Sequence, residues 1–207
     1  MAKAEKQRAQ TQEIPRVALV GFGYWGRNLA RNLDDLGVLR AIVDTSLQHR
    51  DEAKELFPNV QICTAVGEVF DDAAIVGVVL ATPAITHATV TRQALEAGKD
   101  VFVEKPLALT LSDGKELVAL AEERNAILMV GHLLEYHPAV EEIERRVIAG
   151  EMGALQYIYS NRLNWGRLRR EESILWSFAP HDIAVILRLI GTEPLRVLAT
   201  GGGMDST

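Results

Sequence analysis

Gly21-Phe-Gly23-Tyr-Trp-Gly26 constrains this 207-residue chain more than any other stretch. It follows directly on the apolar run Val17-Ala-Leu-Val20. It also opens a helical pattern, Trp25 to Leu36, in which Leu29, Leu33 and Leu36 recur before Gly37. The first glycine permits a tight turn, the second lets backbone approach a pyrophosphate, and the third lets helix and strand pack closely. The helix N-terminus adds N–H groups and the positive end of a dipole, so the turn suits a phosphate. Asp44 ends the second apolar run, Leu39 to Val43, 18 residues after Gly26. An acid there accepts hydrogen bonds from ribose hydroxyls. The strand, turn, helix and acid together predict a dinucleotide site made by Gly21, Gly23, Tyr24, Trp25, Gly26 and Asp44. Asp44 would repel a 2′-phosphate and Thr45-Ser46 brings no arginine, so NAD is expected ahead of NADP, which stays open.

The rest of the pattern agrees with that site. Helical stretches at Ser46–Phe57, Thr86–Ala97 and Leu111–Arg124 alternate with strand-like runs at Val60–Cys63, Ile75–Leu80, Val101–Val103 and Ile127–Val130. Thr110-Leu-Ser-Asp113 has capping form at the start of the last helix. Near-continuous apolar strands separated by helices mark a parallel sheet covered on both faces. The expected fold is therefore α/β, a doubly wound parallel Rossmann sheet over residues 16–131, behind a mobile leader at 1–15. From residue 132 the style changes. A helix is predicted at Ala139–Ala149, a strand at Leu155–Asn161, a helix at Pro180–Ile190 and a strand at Leu195–Thr200. These would begin an α+β second domain over 132–207. Two strands are few for an open sheet, so this domain is expected to be incomplete and the sequence truncated at its C-terminal end.

Composition narrows the chemistry. With 48% apolar and 24% charged residues a large core can be buried, and a net charge of −6 argues against a general nucleic-acid binder. A single cysteine, Cys63, excludes an internal disulfide and a cysteine-based zinc site, and no HExxH or other ligand spacing predicts a metal. Met1 to Pro15 has no apolar signal core, and no run approaches the ~20 apolar residues of a membrane helix. The sequence reads as cytoplasmic, with no membrane partner.

A second constellation is Ala81-Thr82-Pro83 with His87, followed by Glu104-Lys105-Pro106. Both fall at C-terminal ends of predicted strands, the edge at which open α/β sheets bind ligands. A lysine between a carboxylate and a proline, just after a buried strand, is poorly explained as a solvating charge. Through GFGYWG, ATPAITHA and EKPLALT the sequence resembles the Gfo/Idh/MocA oxidoreductases, from Arg16 onward. The resemblance implies a nicotinamide cofactor contacted by Thr82, Pro83, His87, Glu104 and Lys105, with Lys105 catalytic beside the reacting hydroxyl.

Trp176-Ser-Phe-Ala-Pro-His181-Asp182 comes third. Pro180 predicts a helix start, which puts His181 in a first turn where imidazolium is disfavoured. The resemblance implies that His181 is a substrate ligand or base. Where the family often carries an aspartate four residues earlier, this protein has Ser177. Fourth, Arg162, Arg167, Arg169 and Arg170 form a basic cluster whose guanidinium forks suit a diphosphate, with solvation beside Glu171 and Glu172 as the plainer reading.

The stretch RLNWGRLRREESILWSFAPHDI is similar to the branch acting on UDP-linked N-acetylamino sugars at C3. It implies substrate contacts from Arg162, Asn164, Arg169 and His181. Two alternatives stay open: a dehydrogenase or ketoreductase of a free sugar or polyol such as inositol, and a cofactor-binding module without turnover. The resemblance also implies a full-length homo-oligomer formed through the second-domain sheet.

Overall fold

The computed structural model describes residues 14–163 and 174–202. Residues 14–131 with 174–177 form one compact unit, and 132–163 with 178–202 form another.

The first unit is a six-stranded parallel sheet flanked by helices. Its elements run β1 (Val17–Val20), α1 (Tyr24–Asp35), β2 (Leu39–Val43), α2 (Leu47–Leu56), β3 (Gln61–Cys63) and α3 (Gly67–Phe70). They continue with β4 (Gly77–Leu80), α4 (Ala84–Glu96), β5 (Asp100–Val103), α5 (Leu111–Arg124) and β6 (Leu128–Val130). The strand order β3-β2-β1-β4-β5-β6 is that of a doubly wound sheet, as expected, and the winding reverses between β1 and β4.

Why these runs become central strands is visible in the packing. Ala18, Val20, Ala41, Val43, Val78, Leu80, Val101 and Val103 join one buried apolar cluster, while the intervening Leu19, Ile42 and Val79 join a second. Side chains alternate across a strand, so only segments apolar on both parities can lie between two helical layers. Local chemistry fixes the helix starts. The Ser46 hydroxyl accepts from the His49 N–H at the head of α2, and Thr110 Oγ1 accepts from the Asp113 N–H at 3.1 Å to start α5.

Register brings the strand ends level. Val43, Val20, Leu80, Val103 and Val130 lie side by side across β2, β1, β4, β5 and β6. Each following residue hydrogen-bonds the neighbouring strand: Gly21 N to Val43 O at 2.8 Å, Ala81 N to Val20 O at 2.8 Å, and Glu104 N to Leu80 O at 2.9 Å. The turns bearing Gly21, Asp44, Thr82 and Lys105 therefore leave from one edge.

The second unit holds a 3-10 turn (Leu133–Tyr136), α6 (Pro138–Ile148) and the greater part of α7 (Ile174–Ile190). His137 caps α6, its Nδ1 accepting from the Ala139 N–H at 3.1 Å. Arg188 ties the unit together through ion pairs to Glu135 and Glu144.

Two sequence expectations fail here. Leu155–Asn161 and Leu195–Thr200 form no strands; Tyr157 is 82% exposed and Leu198 83%. Alternation prepares a face for packing, but a strand exists only where a partner supplies the ladder, and among the described residues none pairs with either segment. Pro180 does not start a helix: α7 begins at Ile174 and carries Pro180 inside it. Proline's fixed φ is itself helical, so the helix can continue through Pro180, at the cost of the hydrogen bond that its missing N–H would have made to the preceding turn. His181 is therefore a mid-helix residue, and the first-turn argument for its neutral form does not apply.

Candidate cofactor and active site

The glycine turn shows a division of labour among its three positions. Gly21 has φ +96°, and a Cβ there would stand 2.7 Å from Ala81 O across the β1/β4 reversal. A Cβ on Gly26 would stand 2.0 Å from Gly21 O. A Cβ on Gly23 would meet nothing within 4 Å. Two glycines thus let turn, helix and neighbouring strand close on one another. The third borders open space beside a helix N-terminus that no side chain caps. Open backbone and uncapped N–H groups are what a pyrophosphate needs, so the residues fit the nucleotide.

Asp44 sits where the sequence placed it, and it also holds the turn. Its Oδ2 accepts from the Phe22 N–H at 2.7 Å and its Oδ1 from the Ser46 N–H at 2.8 Å, with His49 Nδ1 3.2 Å from Oδ2. Arg50 donates to the carbonyls of Asp44 and Thr45, both at 2.8 Å. An arginine therefore stands beside Asp44 although none follows it directly in sequence. His49 and Arg50 were not among the expected residues; their signal was their spacing one helical turn into α2.

The other half of the edge is built by Thr82, Pro83, Glu104 and Lys105. Pro83 sits at the N-cap position of α4, and the Thr86 hydroxyl bridges Thr82 Oγ1 and Pro83 O at 2.7 Å each. Glu104 accepts from Trp25 Nε1 at 2.7 Å, so the first turn of α1 is tied to the end of β5. Burial pushes the Glu104 carboxyl above the usual carboxylate range, opposed by the Trp25 indole, the Lys105 backbone N–H and the charges of Lys105 and His87. Gly131 leaves room for it, since a Cβ there would stand 3.0 Å from Glu104 Oε1. The Lys105 amine donates to the Ser177 carbonyl at 3.0 Å. The residue that departs from the family pattern at its side chain thus serves the lysine with its backbone.

Trp25→Phe removes the indole donor, with an expected cost of about 1 kcal/mol. The sign of its pH dependence follows from the carboxyl. A folded pKa above the unfolded one adds stability at low pH that is lost as pH rises through the folded value. Losing the indole raises that value further. Thermal melts should therefore show a penalty that is larger at neutral pH than at acid pH; a pH-independent penalty contradicts the coupling.

Other expected residues are placed differently. His87 does not line the crevice: it is 1% exposed and both ring nitrogens face backbone carbonyls. Arg162, expected at a diphosphate, forms a two-point ion pair with Asp182, Nε to Oδ2 at 2.8 Å and Nη2 to Oδ1 at 2.9 Å. That guanidinium holds the Asp182 carboxyl below its ordinary range. Asn164 and Arg169, with Arg167 and Arg170, lie outside the described residues. Among the described residues no helix is long and apolar enough to cross a membrane.

A glycine crevice at the reversal of a doubly wound sheet, with an acid at the end of the adjacent strand, defines a dinucleotide-binding domain. Residues 15–132 match the model of the Gfo/Idh/MocA oxidoreductase family, NAD-binding Rossmann fold, and the chain belongs to that family. Its nucleotide is NAD(P).

The chain is 32% identical over 192 residues to a UDP-N-acetylglucosamine 3-dehydrogenase of Acidithiobacillus ferrooxidans, covering 90% of this chain and 58% of that protein. It is 29% identical over 202 residues to a scyllo-inositol 2-dehydrogenase (NAD(+)) of Bacillus subtilis, covering 90% and 57%. Among solved structures, GenD2 from gentamicin A biosynthesis in complex with NAD superposes with a TM-score of 0.74 at 26% identity, covering 86% of this chain and 54% of that one. The chain spans somewhat over half the length of these relatives.

Proposed function

We propose that this protein holds the cofactor site and the principal catalytic group of an NAD(P)-dependent dehydrogenase acting on a sugar ring hydroxyl. The observation that carries the reading is Lys105. Its backbone leaves the ligand edge of the sheet, and its amine is held by the Ser177 backbone carbonyl. The bound nicotinamide supplies the hydride acceptor. Lys105 would hydrogen-bond the substrate hydroxyl, take part in removing its proton and stabilise the developing alkoxide. His181 is proposed to hold the sugar or take that proton.

For the substrate, the reading is C3 of a UDP-linked N-acetylamino sugar. It is supported by the 32% identity to the UDP-N-acetylglucosamine 3-dehydrogenase. Asn164 and Arg169 remain candidates for the nucleotide part of the substrate, and Arg162 would have to exchange Asp182 for it. A free polyol is the second reading, favoured by the scyllo-inositol 2-dehydrogenase match. Reduction of NAD with UDP-N-acetylglucosamine and with scyllo-inositol as parallel substrates separates them. Turnover with the nucleotide sugar alone supports the first, and turnover with inositol alone replaces it by the second.

A further inference from the structure

His87 lies in the first turn of α4, and its ring spans two loops. Nδ1 is 2.6 Å from Pro106 O and Nε2 is 2.8 Å from Thr82 O. Thr82 follows β4, and Pro106 follows Lys105 at the end of β5. A carbonyl oxygen can only accept, and a neutral imidazole carries a single N–H. A neutral ring would satisfy one contact and set a nitrogen lone pair against oxygen at the other, in a site from which water is excluded. A doubly protonated ring donates to both.

We infer that His87 is a positioning residue, a doubly protonated strut that sets the spacing between the Thr82-Pro83 turn and the Lys105-Pro106 turn at the cofactor crevice. It acts through the backbone beside Lys105 and does not itself touch cofactor or substrate. The inference rests on the reading of that crevice as the site of hydride transfer. The geometry distinguishes this role from filling space: a core histidine needs one hydrogen bond, whereas this one closes a bridge between two strand ends.

The test has two arms on the 207-residue chain. Long-range proton–nitrogen NMR correlations of the His87 ring at neutral pH distinguish an imidazolium from either neutral tautomer. The imidazolium pattern is expected, and a neutral tautomer overturns the strut. NAD titrations then compare the parent with His87→Gln, which keeps a donor but cannot reach both carbonyls, and with His87→Phe, which keeps the ring volume alone. Both variants should bind NAD about tenfold more weakly or worse. Parent-like affinity in a folded variant overturns the positioning role. Failure of the folded parent to bind NAD would instead count against the crevice reading, while the ring spectrum still decides the strut.

Discussion

Gly26→Ala should unfold the nucleotide unit or lower its stability by about 3 kcal/mol or more, while Gly23→Ala should leave stability nearly unchanged and abolish measurable NAD binding. The first expectation follows from contact distance. A Cβ 2.0 Å from Gly21 O cannot be relieved by turning a side chain, because the oxygen it meets is backbone. Ordinary overpacking costs about 1–3 kcal/mol, and this contact is tighter than side-chain overpacking produces. The helix would have to lift from β1 and lose the burial of Ala30, which is fully enclosed. For Gly23 the reasoning reverses, since an added methyl enters open space when no nucleotide is bound. Its cost appears only when a pyrophosphate approaches the same backbone. Thermal melts and NAD titrations of the two variants check this. Equal effects of both on stability would contradict the division of labour within the turn.

Lys105→Met should lower kcat/KM by roughly 10²–10⁴-fold, the range in which positioned general acid–base groups contribute. Methionine retains most of the apolar stem and loses the charge and the three donors. The bond to the Ser177 carbonyl at 3.0 Å is lost as well, so a small fall in melting temperature is expected alongside. Steady-state kinetics at saturating cofactor is the measurement. Retention of the parent rate would remove Lys105 from the catalytic role and leave it as a structural link to Ser177.

The parts that sequence made legible are those set by short-range chemistry. Strand, glycine turn and helix occupy adjacent positions from Val17 onward, and each glycine's task follows from its place in that order. Asp44 was found the same way, although its service to the Phe22 and Ser46 N–H groups became visible only in three dimensions. What sequence obscured depends on partners distant along the backbone. The indole of Trp25 meets Glu104, 79 residues away, and Arg162 meets Asp182, 20 residues away.

His87 was expected to line the crevice because it follows Thr82-Pro83. Spacing gives the turn of the helix but not which groups lie beneath it. Pro180 carried two meanings, since its fixed φ suits a first helical position and is also compatible with an interior one at the cost of a backbone hydrogen bond. For Leu155–Asn161 and Leu195–Thr200 alternation was present, and among the described residues no ladder pairs with them. Sheet formation is a property of pairs, and a single segment does not contain it.

Every role proposed for this protein depends on its glycine crevice working as an NAD(P) site. Calorimetric titration of the folded protein with NAD tests it most directly. Saturable binding at a single site per molecule is expected, lost in Gly23→Ala at an unchanged melting temperature. A folded parent that takes up no NAD or NADP, or a Gly23→Ala variant that binds as the parent does, would contradict it.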